Sequence, residues 1–92
     1  NTKLEWVKLK APDGYLLELL QYHSHPKHQA IVKQESNQIG CSHLAFTVDN
    51  IDFVCGNIKK NGGSVVNQPK LTDNKKVKVA YCHDIEGNLM EI

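Results

Sequence analysis

Two stretches of this chain, Pro12-Asp13-Gly14-Tyr15-Leu16-Leu17-Glu18-Leu19 and Ile85-Glu86-Gly87-Asn88-Leu89-Met90-Glu91-Ile92, match at a constant offset of 73. Glycine, leucine and glutamate are identical at equivalent places, and the acidic residue before the glycine and the closing aliphatic agree in type. A duplicated unit tends to set equivalent residues at equivalent points around a shared core. The repeat therefore makes Glu18 and Glu91 counterparts.

The two copies are unequal. The second is preceded by a long stretch that reads as strand, helix and strand, whereas about a dozen residues precede the first. The chain is thus expected to begin partway through its first repeat. Asn1 in place of a methionine suggests truncation or an upstream segment.

With 92 residues, the chain suits one small α+β domain with little margin for a core, so a partner chain is expected to contribute to stability. Eleven basic against ten acidic residues give a formal charge of +1, which favours neither nucleic acid nor a membrane surface. No segment is long and apolar enough for a membrane span or a secretory signal. Cys41, Cys55 and Cys82 are odd in number and lack any C-x-x-C spacing, which fits a reducing cytoplasm and ordinary core or strand positions.

Leu4 to Ala11 alternates as a strand, Pro12-Asp13-Gly14 supplies a turn, and Tyr15 to Tyr22 runs back as a hairpin. Period-two alternation puts Leu16, Glu18, Leu20 and Tyr22 on one face. Residues 1–22 thus form a remnant hairpin of a first module and 23–39 a polar linker. A short helix around Lys27 to Gln34 has too brief an apolar signal to be secured. His23, His25 and His28 in this linker read as loop histidines, since no neighbouring carboxylate or cysteine completes a coordination shell.

Residues 40–92 read as a complete second module of order β-α-β-β-β. Gly40 to Val48 is rich in strand formers, with His43, Ala45 and Thr47 on one face and Leu44, Phe46 and Val48 on the other. Asp49 or Asn50 caps a helix whose apolar residues Ile51, Val54, Cys55 and Ile58 follow helical spacing, and Gly62-Gly63 stops it. That stripe is expected against Leu44, Phe46 and Val48. Ser64 to Asn67 is a short strand, Leu71 to Lys75 a polar loop, Lys76 to His83 a strand, and Asn88 to Ile92 the closing strand after the turn at Asp84-Ile85-Glu86-Gly87.

Glu18, His43 and Glu91 then lie on strands, on faces turned from the helix. One imidazole and two carboxylates are a normal ligand set for a divalent metal such as zinc, nickel, manganese or iron, with open positions for substrate. Each residue alone also has a structural reading, as a hydrogen-bonded strand histidine or a glutamate facing water. Recurrence of the glutamate in the repeat favours the ligand set.

Gly40-Cys41-Ser42-His43-Leu44-Ala45-Phe46-Thr47-Val48-Asp49, together with Tyr81-Cys82-His83-Asp84-Ile85-Glu86-Gly87-Asn88-Leu89-Met90-Glu91-Ile92, resembles the vicinal oxygen chelate superfamily of glyoxalase I, extradiol dioxygenases, methylmalonyl-CoA epimerase and bleomycin-resistance proteins. Leu17-Glu18-Leu19-Leu20 is similar to the end of that family's first module. The resemblance implies paired βαβββ modules forming an incomplete barrel around a metal. Position by position, it makes His43 and Glu91 ligands from the second module and Glu18 a ligand from the first. A fourth ligand falls upstream of Asn1. Glu91 is the candidate to double as ligand and catalytic base, and Tyr22, Tyr81 and His83 are candidates to line the cup and hold substrate.

The leading expectation is a small cytoplasmic, metal-dependent lyase or isomerase of glyoxalase type, acting on a substrate with vicinal oxygens. The alternative is a metal-free protein that sequesters a small molecule, as the bleomycin-resistance proteins do, or a dioxygenase or inactive fragment of the superfamily. The half-lost first module leaves strand edges and an apolar face uncovered, so a dimer or higher homo-oligomer is expected.

Overall fold

The computed structural model describes residues 1–27 and 30–92, in two compact units, Asn1–Ala30 and Ile31–Ile92. His28 lies outside the described residues. The first unit is a hairpin of β1 (Leu4–Lys10) and β2 (Leu16–Tyr22), paired antiparallel so that Lys8 faces Glu18 and Trp6 faces Leu20. Lys8 extends its ammonium over the Trp6 ring, 4.9 Å from the centroid, a contact that covers part of the aromatic face. After β2, His23 Nε2 meets the Glu5 carboxylate at 2.6 Å. The sequence had suggested no carboxylate near the linker histidines. Glu5 comes from the opposite strand, so chain spacing does not reveal it.

The second unit carries β3 (Leu44–Ala45), α1 (Ile51–Lys60), β4 (Ser64–Val65), β5 (Lys70–Leu71), β6 (Lys78–Val79), β7 (Tyr81–His83) and β8 (Leu89–Glu91). Four strands form a sheet in the order β3-β8-β7-β4, with β3 parallel to β8 and the other neighbours antiparallel. β5 and β6 make a separate small hairpin. Among the described residues the architecture is α+β, with one helix, several strands and no closed barrel.

Asn50 caps α1 by accepting the Phe53 N–H on its side-chain oxygen at 3.0 Å, which satisfies an otherwise orphaned donor. At the other end Gly63 N–H reaches back to the Ile58 carbonyl, and Gly62 takes φ +91°, a left-handed conformation that suits glycine. A side chain at Gly63 would stand 2.6 Å from the His83 carbonyl, so the helix exit and β7 approach too closely for any Cβ.

Cys55 from α1 joins Ala80, Cys82 and Ile92 in the buried core, with Phe46, Val48, Ile51, Val54, Ile58, Val65 and Met90 packed around them. The helical stripe thus packs where its spacing predicts, against Phe46 and Val48. Leu44 departs from the expectation and is 50% exposed, because β3 is an edge strand with a neighbour on one side alone.

Three other expectations are corrected. Gly40 to Val48 enters the ladder only at Leu44 and Ala45, since its sole neighbour β8 is itself three residues long. Lys76 to His83 is two strands divided at Ala80: β6 pairs with β5, whereas β7 pairs with β4 and β8. Finally, β5 lies at the start of what reads as a polar loop, because pairing with β6 supplies an order that its composition does not signal.

The internal repeat is visible in backbone hydrogen bonds. Gly14 N–H donates to the Ala11 carbonyl at 2.9 Å, and Gly87 N–H donates to the Asp84 carbonyl at 3.1 Å. The ladder bonds just outside, Ala11 N–H to Tyr15 O and Asp84 N–H to Asn88 O, are equivalent again. Both glycines have positive φ, +92° and +84°, which their turns require.

Candidate functional site

β3 and β8 bring His43 and Glu91 together. Ala45 is the register partner of Glu91, the Phe46 N–H donates to the Glu91 carbonyl at 2.9 Å, and His43 directly precedes β3. The His43 Nε2 lies 3.1 Å from Glu91 Oε2, and both side chains are partly buried, 23% and 31% exposed. On the other side of β8, Tyr81 is the register partner of Glu91 and meets the imidazole edge-on, with centroids 5.3 Å apart and planes at 81°. Such edge contacts are favourable and fix the plane of a ring. The Ser42 hydroxyl and His43 Nδ1 share a hydrogen bond.

This face is distinct from the one that meets the helix. Cys82 and Met90 are register partners and pack with Cys55, whereas their neighbours Tyr81, His83 and Glu91 alternate to the other side. The Cys82 thiol is pushed up to about 11 by burial, with Cys55 beside it adding to the effect. Such a thiol is inert at neutral pH.

His83 is 6% exposed. Its Nε2–H donates to the Gln34 carbonyl at 2.7 Å, while the Gln34 side-chain oxygen accepts the Leu89 N–H at 3.0 Å. The Gln34 N–H donates in turn to the Gly87 carbonyl, so a single residue straps the segment before β3 across the β7–β8 turn. Tyr81, His83 and Leu89 line a cavity of about 370 Å³ under this strap, together with Lys33, Glu35 and Val66. A second cavity, of about 410 Å³, is lined by Glu91, Ala45, Thr47, Val77, Lys78 and Val79. The pair of His43 and Glu91 adjoins both, through Glu91 on one side and Tyr81 on the other.

Glu18 and Tyr22 belong to the first unit, on β2, where alternation puts them on the same face of the hairpin. Glu18 stands directly opposite Lys8. Among the described residues no group of three His, Cys, Asp or Glu side chains is gathered closely enough to hold a metal ion. The sequence did not single out Ser42 or Gln34. Strand alternation assigns Ser42 to the face away from His43, and it reaches the ring because the regular ladder begins only at Leu44.

A family model described as the glyoxalase/bleomycin resistance protein/dioxygenase superfamily matches residues 3–92. The chain belongs to this superfamily. A crystal structure of a glyoxalase family protein from Bacillus cereus is similar, with a TM-score of 0.84 and 24% sequence identity over 98% of this chain and 60% of that one. At that identity the likeness speaks for the fold alone. This superfamily member spans about 60% of the length of that neighbour. No curated relative matches it. No helix among its described residues is long and apolar enough to cross a membrane.

Proposed function

We propose that this superfamily member is a metal-dependent lyase or isomerase of glyoxalase type, acting on a small molecule with vicinal oxygens. The observation that carries the reading is the approach of His43 Nε2 to Glu91 Oε2 at 3.1 Å, on the face turned from the helix. An imidazole nitrogen and a carboxylate oxygen at that separation fit two positions in the ligand shell of zinc, nickel, manganese or iron. Glu18, the repeat counterpart of Glu91, is the third proposed ligand. When bound, a divalent cation would act as a Lewis acid on adjacent substrate oxygens.

The chain's own residues have separate tasks in this scheme. Glu91 is the proposed base, since a carboxylate at the rim of a partly buried cavity can take a proton from a carbon activated by neighbouring oxygens. Tyr81 braces the imidazole and offers a ring to the substrate. His83, whose Nε2 is committed to Gln34, serves as a wall of the cavity, and Tyr22 is the corresponding candidate from the first unit. The protein is proposed to act in the cytoplasm as a homo-oligomer.

A metal-free binding protein is the competing reading, and one observation favours it: the donors gathered in the second unit are two rather than three. Calorimetric titration with zinc, nickel and manganese separates the two. Uptake of about one ion per chain, lost in His43→Ala, is the expected result. Folded protein that takes up none of the three would leave the metal-free reading in its place.

A further inference from the structure

Gln34 meets the β7–β8 region through its amide N–H, its carbonyl and its side-chain oxygen. The N–H donates to the Gly87 carbonyl at 2.9 Å, the carbonyl accepts the His83 Nε2–H at 2.7 Å, and the side-chain oxygen accepts the Leu89 N–H at 3.0 Å. His83 and Leu89 are register partners, so the two donors come from facing positions of one strand pair. The atoms engaged are those of a free amino acid: amine nitrogen, carboxyl oxygen and side-chain carbonyl oxygen, in the spacing of glutamine.

Little else holds this strap in place. Residues 30–35 have no regular secondary structure, and Ile31 and Val32 are exposed, so apolar burial contributes little to their position. Beneath lies the cavity of about 370 Å³, between Lys33, Gln34 and Glu35 of the strap and Tyr81, His83 and Leu89 of the sheet. His83 is buried, and its Nδ1 has no hydrogen-bond partner among the described residues, which leaves the Gln34 carbonyl to orient the ring. Lifting the strap without a substitute would strand this ring and the Leu89 N–H, and buried donors without acceptors are costly. A molecule that supplies the same acceptors removes that cost.

We infer that Gln34 occupies the polar end of a binding site for a free amino acid with a side-chain carbonyl, of which glutamine is the type, and that this ligand displaces the strap. Its carboxylate takes the His83 Nε2–H, its side-chain oxygen the Leu89 N–H, and its ammonium the Gly87 carbonyl. Bonds with an ionised partner are about twice as strong as neutral ones, which favours the free molecule over the residue it replaces. Lys33 and Glu35 give the cavity one charge of each sign, which suits a zwitterion. The tether gives Gln34 a high effective concentration, so the apparent affinity is reduced by the fraction of chains with the strap closed. The site needs neither a metal nor turnover, and its failure leaves the reading of His43 and Glu91 untouched.

Titration of nitrogen-15-labelled, metal-free protein with L-glutamine reads the site through amide signals, and hydrogen exchange reads the strap. In wild type, L-glutamine is expected to shift the Leu89 and Gly87 amide signals and to speed exchange of the Gln34 N–H, while the Leu89 N–H stays protected. L-Norvaline, which has the same carbon chain and no side-chain oxygen, is expected to bind about fivefold more weakly, the usual worth of one hydrogen bond. Gln34→Ala removes the competing oxygen and is expected to bind L-glutamine about fivefold more tightly than wild type. Gln34→Glu keeps an acceptor for Leu89 and adds a charge, so no gain is expected. If the alanine variant fails to fold, Gln34→Asn, whose amide is too short to reach Leu89 in the same way, replaces it.

Equal affinity for L-glutamine and L-norvaline overturns the assigned ligand. Binding that leaves exchange of the Gln34 N–H unchanged overturns displacement of the strap. Affinity in Gln34→Ala within about twofold of wild type, short of one hydrogen bond, overturns the competition by Gln34. Folded Gln34→Ala that takes up no L-glutamine at millimolar concentration overturns the site itself.

Discussion

Gln34 precedes His83 by 49 residues, yet its carbonyl accepts the His83 Nε2–H at 2.7 Å. The same residue uses its side chain on Leu89 and its N–H on Gly87. One residue in a segment of weak local preference therefore makes three hydrogen bonds to the β7–β8 region, two through its backbone and one through its side chain.

Gln34→Ala separates these contacts, because the backbone bonds to His83 and Gly87 survive while the buried Leu89 N–H loses its acceptor. An unsatisfied buried donor costs about 1–3 kcal/mol. Urea denaturation should show a loss in that range with an unchanged slope. A neutral result would mean that water replaces the amide there.

Gly87→Ala should be more damaging. The residue has φ +84°, and an added Cβ would stand 2.5 Å from the Val32 carbonyl oxygen. Positive φ and overpacking each cost about 1–3 kcal/mol. A large fall in melting temperature is expected, whereas Gly56→Ala, with open space around its Cβ in mid-helix, should be neutral or stabilising.

Glu91→Gln tests the proposed base. The amide oxygen can still accept from His43 Nε2–H, so melting should change little, while isomerisation of a hemithioacetal should fall by several powers of ten. Retained turnover would eliminate Glu91 as the base. A collapse in melting temperature would reassign it as a structural residue.

Acid should act through Asp84. Burial alone would raise its pKa, but the Asn88 amide and the N–H groups of Asn88, Glu86 and Gly87 together hold its carboxyl below the usual value. A depressed carboxylate contributes stability that is present above its unfolded pKa of about 3.9 and is lost as pH falls through the lower folded value. Melts from pH 6 down to 2 should therefore fall more steeply in wild type than in Asp84→Asn. Parallel curves would remove Asp84 as a source of acid sensitivity.

Alkali should act through Cys82. Its folded pKa is raised from 9.0 to about 11, so its contribution is intact below the unfolded value and is lost as pH rises from 9 towards 11. At neutral pH a small alkylating reagent should modify exposed Cys41 and spare Cys55 and Cys82 until the protein unfolds. Rapid modification of all three would show that the core opens under native conditions.

What could be read from the sequence followed local rules. The hairpin, the Asn50 cap, the helical stripe and the glycine turns each rest on residues within a few positions of one another, and the structure carries them at those places. Glu18, His43 and Glu91 were grouped through the repeat and strand alternation, and of these His43 and Glu91 meet side chain to side chain within the second unit. The strap by Gln34, the approach of Ser42 and the break at Ala80 depend on which strands become neighbours, and no periodicity encodes that. The fold class was accessible for the same reason that strand ends were not: pattern fixes element type, whereas ladder length depends on the partner.

The parallel pairing of β3 with β8 has a kinetic corollary. His43 and Glu91 are 48 residues apart and meet only through the pairing of the unit's first and last strands. Closing so large a loop is entropically costly, and contacts of that span form slowly. The pair is thus positioned to assemble after α1 and the β7–β8 turn, and a partially folded chain would hold its helix and still lack the site. Recovery of the contact between His43 and Glu91 during refolding would then lag behind recovery of helical signal.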